Sequence, residues 1–154
     1  MNRSYAADNA RELERLRALV SKLSDEDLGS MVNEYWTVAG VLGHMAFWDG
    51  RALFLAGKLQ RDGALIPSAE PEDVDWINDS TRPLIHAIAP RQAAEVALRI
   101  AEETDELVAS LSPELVATID DTSQLNLVRA EHRGEHLDEI EAALAGRDAT
   151  SRPT

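Results

Sequence analysis

An all-α four-helix bundle is the fold class that this 154-residue sequence predicts, and three observations point to it. Apolar residues make up 44% of the chain and recur at helical spacing in four separate stretches. Only 5% of the residues are aromatic, and Val, Ile and Thr seldom alternate, which leaves little from which to build a sheet. The length suits one domain with a sizeable hydrophobic core.

In the first helix Leu13, Leu16, Val20 and Leu23 share one face, with Asp8 or Asn9 placed to cap its free N–H groups. The second begins in "YWTVAGVLGHMAFWDGRALFLAGKLQ", where Thr37 suits the N-cap and Trp36 can staple onto Val41. Its apolar stripe is Val41, Met45, Trp48, Ala52 and Leu55. The third starts at Pro90 and carries Ala93, Ala97, Ile100, Thr104, Leu107 and Leu111 on one side. The fourth runs from about Gln124 to Ala145 and stops at Gly146.

The connection from about Gly63 to Ala89 is far longer than an antiparallel helical hairpin requires. It is expected to cross over the bundle, making the second and third helices parallel in an up-down-down-up arrangement. Within it "EPEDVDWINDSTRPLIHAI" reads as a further short helix, interrupted or kinked near Pro83 and able to wall a bundle-end pocket. Ser24 in "LSDEDL" and Ser112 in "LSPELV" are further cap candidates in the two shorter connections. Residues 1–146 thus form one domain, and 147–154 a flexible tail with nothing to bury.

A formal charge of −13, with no run of Lys and Arg to offset it, repels a phosphate backbone, so nucleic acid is a poor partner. The absence of cysteine removes disulfides, thiolate ligands and a protein thiol nucleophile, so any thiol chemistry must arrive with a substrate. No stretch has the apolar length of a membrane span or the pattern of a signal peptide, and a cytoplasmic location is expected.

Three of the four histidines converge in this reading. Followed by fours, the apolar stripe of the fourth helix runs Val128, His132, His136, Ile140, so both imidazoles fall on the core face. His44 lies about 60° from Val41, beside Met45 and Trp48. Antiparallel packing of the second and fourth helices would bring the three rings to similar depth. Three neutral nitrogens would give a divalent cation a site with an open position, whereas three separately hydrogen-bonded core histidines are the alternative. His86, between Pro83 and Pro90, reads as structural or exposed. "HRGEH" formally matches an inverted zinc-protease pattern, but too little chain follows it for the rest of such a site. A di-iron carboxylate site fails too, since Arg129 and Arg133 stand where its glutamates belong.

"WTVAGVLGHMAFWD" and "HRGEHLDEI", with "VDWIND" and the two Ser-capped connectors, resemble the DinB/YfiT-like metalloenzyme superfamily. That superfamily includes bacillithiol S-transferases and the N-terminal domain of mycothiol-dependent maleylpyruvate isomerase. The resemblance implies a bundle with its second and third helices parallel and a divalent metal, zinc or nickel before iron or manganese, on His44, His132 and His136. It also implies a homodimer. The mycothiol enzymes often carry Glu as the first member of the H-x-x-x-H pair, where this chain has His132.

The expected activity is transfer of a low-molecular-weight thiol of the mycothiol or bacillithiol type to a small electrophile, with the metal promoting loss of the thiol proton. Glu135 and Asp49 are the candidates to orient a ligand ring or move a proton. Metal-dependent hydrolysis of a small molecule, and metal or ligand binding without turnover, are the other two readings.

Overall fold

The computed structural model describes residues 4–65, 73–120 and 123–150. Apart from one isolated bridge between Met31 and Thr37, the regular structure among them is helical. Four long helices, α1 (Ser4–Lys22), α3 (Val38–Asp62), α5 (Pro90–Ser110) and α7 (Ala130–Thr150), are joined through α2 (Asp25–Gly29), α4 (Val74–His86) and α6 (Pro113–Val116).

Several boundaries follow from local chemistry read in the sequence. Thr37 Oγ1 accepts the Gly40 N–H at 3.0 Å and starts α3. Ser24 and Asp27 form a reciprocal capping box at α2, Ser112 caps α6, and Pro90 opens α5. Gly63 closes α3 at φ +78°, a left-handed conformation that glycine adopts without steric cost.

Other boundaries differ from expectation. Asp8 and Asn9 do not cap α1, which begins at Ser4; Asp8 pairs instead with Arg11, and Asn9 is buried within the helix. Pro83 does not interrupt α4. The fourth long helix starts at Ala130, not near Gln124, and passes through Gly146 to Thr150. Its last turn is anchored because Arg147 reaches Ser30 and pairs with Asp27, so the expected tail is helical up to that point. The remainder of that tail, 151–154, lies outside the described residues, as do positions 66–72 of the crossover.

Packing of α3 on α5 is the backbone of the core. Gly43 lies against Ala93, Gly50 against Ile100 and Gly57 against Leu107, so the two helices advance in the same sense. Small residues at these seven-residue steps permit close approach, and Ala94, Ala97 and Ala101 continue the small surface. The first part of α3, Val38 to Ala46, is buried all round. One apolar cluster gathers Leu16, Leu28, Leu42, Met45, Leu137 and Ile140, and a second, further along α3, joins Ala56, Leu59, Val108, Leu111 and Leu125. His44 belongs to the buried stretch of α3, so the site is built into the core rather than onto a loop.

Candidate metal centre

His44 projects from α3 and His132 and His136 from α7, and one ring nitrogen from each lies within 4.8 Å of the others. Among the described residues this is the only trio of metal-ligating type so gathered. The Nε2 atoms of His44 and His132 face each other at 3.2 Å. His136 completes the group, its ring centroid 4.8 Å from that of His44 and 4.6 Å from that of His132.

The two α7 histidines arrive by a route other than the one expected. They do not lie on the core stripe, which runs Ala130, Arg133, Leu137 and Ile140 and is fully buried at Arg133, Leu137 and Ile140. His132 and His136 are half-buried on the flank that faces α3. From there they line a cavity of about 380 Å³ with His44, Trp48, Asn78 and Arg129. The cavity's far wall belongs to α4, held in place where the Trp48 indole N–H donates to Asn78 Oδ1 at 3.0 Å. The crossover helix therefore walls the site, as its place in the chain suggested.

Burial keeps the His44 and His132 imidazoles unprotonated. Desolvation, with the nearby His136, lowers the pKa of His44 to about 4. Desolvation, with His136, Arg129, His44 and Arg133, lowers that of His132 to about 2. The Nδ1 atoms of both rings are buried without a hydrogen-bond partner. Protein groups thus do not compensate the burial of two imidazoles, which costs about 1–3 kcal/mol for each unsatisfied group. A divalent cation shared by the three rings would bind the facing Nε2 atoms rather than those Nδ1 atoms, and neutral imidazole is the form that ligates. The residues present fit such an ion.

Of the two carboxylates singled out in the sequence, neither bonds a ring nitrogen. Asp49 is 1% exposed, and its two oxygens accept from Arg129 Nε and Arg133 Nε, each at 2.8 Å. Arg133 in turn grips Asp105 through both terminal nitrogens at 2.8 Å. Burial works against the Arg133 charge, but Asp105 and Asp49 outweigh it and hold its pKa above the ordinary value. Asp49 therefore locks α3 to α7 beside the ligands and is not free to shuttle a proton. Glu135 points to the exposed side of α7. The carboxylate that does reach a ligand is Glu139, whose Oε2 accepts from His136 Nδ1 at 2.8 Å and turns Nε2 of that ring toward the others. Its spacing from His136, three residues on a helix, was the available signal.

Asn9 is the other residue the sequence did not reveal. Its Oδ1 accepts the N–H groups of Arg129 and Ala130 at 2.8 and 2.9 Å, and its Nδ2 donates to the Leu127 carbonyl at 2.9 Å. A side chain of α1 thereby caps the N-terminus of α7 and fixes the backbone just ahead of His132. His86, the fourth histidine, is exposed and stands edge-on to Trp36 at 5.2 Å between centroids, away from the trio.

The family model described as the mycothiol maleylpyruvate isomerase N-terminal domain matches residues 10–124. That span includes His44 and ends before His132 and His136. No curated protein and no solved structure matches the chain. No helix among the described residues is long and apolar enough to cross a membrane.

Proposed function

We propose, for a chain that belongs to the mycothiol maleylpyruvate isomerase N-terminal domain family, a divalent-metal-dependent transferase that joins a low-molecular-weight thiol to a small electrophile. Having His132 where the mycothiol enzymes often carry Glu does not place the chain outside that family. The observation that carries the reading is the trio of imidazole nitrogens, two of them on buried, neutral rings, at the edge of a cavity of small-molecule size.

The proposed scaffold is a four-helix bundle in up-down-down-up order. In support, α1 advances along α7 in the same sense, from Asn9 at Arg129 to Arg15 at Asp138 and Glu141. Residues His44 and Asp49 of α3 meet α7 in reverse order, at His136 and His132 and then at Arg133 and Arg129.

His44, His132 and His136 would hold the cation. A bound divalent ion of the zinc or nickel type supplies Lewis acidity that favours the thiolate form of an incoming thiol near neutral pH. The protein's own part is positional. Glu139 keeps the His136 ring oriented, Asn9 and Asp49 fix the backbone and flanks of His132, and the Trp48 ring walls the space where the electrophile would sit. In the transfer the S–H proton passes to water, an S–C bond forms, and the leaving group departs with its electron pair. No protein nucleophile is needed, in keeping with a chain that has no cysteine.

The test is thiol consumption by tag-free protein supplied with mycothiol and monochlorobimane. The reading expects turnover that chelation removes and zinc or nickel restores, and that His132→Ala lacks. Thiol-independent, metal-dependent ester cleavage would replace it with a hydrolase. Tight metal binding without turnover of either kind would leave a binding protein.

A further inference from the structure

Beside the histidines, the described residues that line the cavity offer hydrogen-bond donors and no carboxylate. Arg129 gives only Nε to Asp49. Its terminal N–H groups have no partner among the described residues and, unlike Nδ1 of His44 and His132, are not sealed from solvent, so they open onto the cavity that Arg129 lines. Asn78 has its Oδ1 occupied by the Trp48 indole N–H, which turns its Nδ2 the other way. Asn126, also on the lining, has its Oδ1 occupied by the Val128 N–H at 2.8 Å, which again leaves Nδ2. Both amides are thus fixed with the NH₂ group available.

The charge pattern agrees. The chain has 28 Asp and Glu residues and a formal charge of −13, yet among the described residues no carboxylate lines this cavity and one guanidinium does. Asp49, which holds that guanidinium, is itself shared with Arg133, so Arg129 is only partly neutralised. Apart from the imidazole nitrogens and the Trp48 ring, the described lining residues offer little to a cation or a neutral donor. It suits a group that accepts several hydrogen bonds and carries negative charge, and guanidinium and amide N–H groups match a planar carboxylate.

The geometry points to an oxyanion subsite in which Arg129, Asn78 and Asn126 bind a carboxylate on the electrophile, beside the Trp48 ring and the three histidines. The assignment rests on the proposed function for the word electrophile, but the subsite itself is a property of the cavity and is testable without turnover or metal. Arg129 is then a specificity residue: it selects the anionic substrate over its neutral analogue.

The experiment compares binding of benzoate with that of its neutral isostere benzamide by calorimetry, on the protein as purified and after chelation. Benzoate is expected to bind at least tenfold more tightly in both samples. Arg129→Gln should abolish the preference while circular dichroism shows the helical content retained. Asn126→Asp gives an independent measure, because it keeps the oxygen that accepts from Val128, replaces the donor with an anionic oxygen, and lies at an exposed position that tolerates change. It should weaken benzoate about tenfold and leave benzamide unchanged. Equal binding of the two probes, or a preference that survives both variants, overturns the subsite. A preference seen only with metal present would assign the carboxylate to the ion and also overturn it. Absence of thiol turnover with the benzoate preference intact would sink the transferase reading and leave the subsite standing.

Discussion

His44 and His132 are held as free bases by their surroundings, and this has a consequence for stability. Their folded pKa values, about 4 and about 2, lie below the ordinary 6.5. Above pH 6.5 each ring is neutral in both folded and unfolded chain. As the pH falls, the unfolded chain takes up protons first, so stability is lost from about pH 6.5 down to the folded pKa. For His44 the full loss is roughly 3 kcal/mol. Urea midpoints of the chelated protein should therefore drop between pH 7 and 5, less steeply in His44→Gln and less still when His132→Gln is added. Equal slopes in all three proteins would show that the rings do not carry this effect.

At the scale of elements, the site depends on how α7 is seated. Removing the Asn9 cap with Asn9→Ala should cost about 1–2 kcal/mol and weaken zinc affinity, because the backbone ahead of His132 is released. Leu111→Ala, a core change in the second apolar cluster, should lower stability by at least as much and leave zinc affinity intact. Zinc titrations of the two variants, read against their urea midpoints, check this. Asp49→Asn should cost more, about 3–5 kcal/mol, since it strips a carboxylate from two buried guanidinium groups. Two glycines of α3, one facing α4 and one facing α5, offer a sharper contrast. A Cβ on Gly43 would come within 2.6 Å of Ile85, a buried side chain, whereas one on Gly57 would meet Leu107 at an ordinary 3.7 Å. Gly43→Ala is expected to destabilise by about 1–3 kcal/mol and Gly57→Ala to stabilise by up to about 1 kcal/mol, as thermal melts would register.

These same elements show what the sequence could and could not disclose. Thr37, Ser24, Ser112 and Pro90 act on neighbours a few residues away, so the boundaries they set were legible. The start of α7 was not, because its cap comes from Asn9, some 120 positions earlier. The face of α7 was misread for a related reason. Arg133 looks like a solvated charge until Asp49 and Asp105, on two other helices, are seen to surround it. Tracing the stripe by fours through His132 and His136 found the correct ligands while assigning them to the wrong side of the helix. Glu139 was within reach of a spacing argument and was passed over for Glu135, which points away.

For the whole molecule, an ion held by the trio would tie α3 to α7, helices that also meet through the Asp49 pairs and the apolar cluster of Leu42, Met45, Leu137 and Ile140. A ligand bound only by the folded chain stabilises it by mass action, by about 2.7 kcal/mol at a free concentration of 100 times Kd. Zinc should therefore raise the melting temperature of the chelated protein in a concentration-dependent way, and magnesium, which prefers oxygen donors, should not. The most direct measurement is the metal content of tag-free protein and of its four single His→Ala variants. One equivalent of a first-row divalent ion in the wild type and in His86→Ala, with little in His44→Ala, His132→Ala or His136→Ala, is the expected pattern. Equal metal content in all five proteins, or none in the wild type after zinc loading and dialysis, would contradict a shared ion at these three rings.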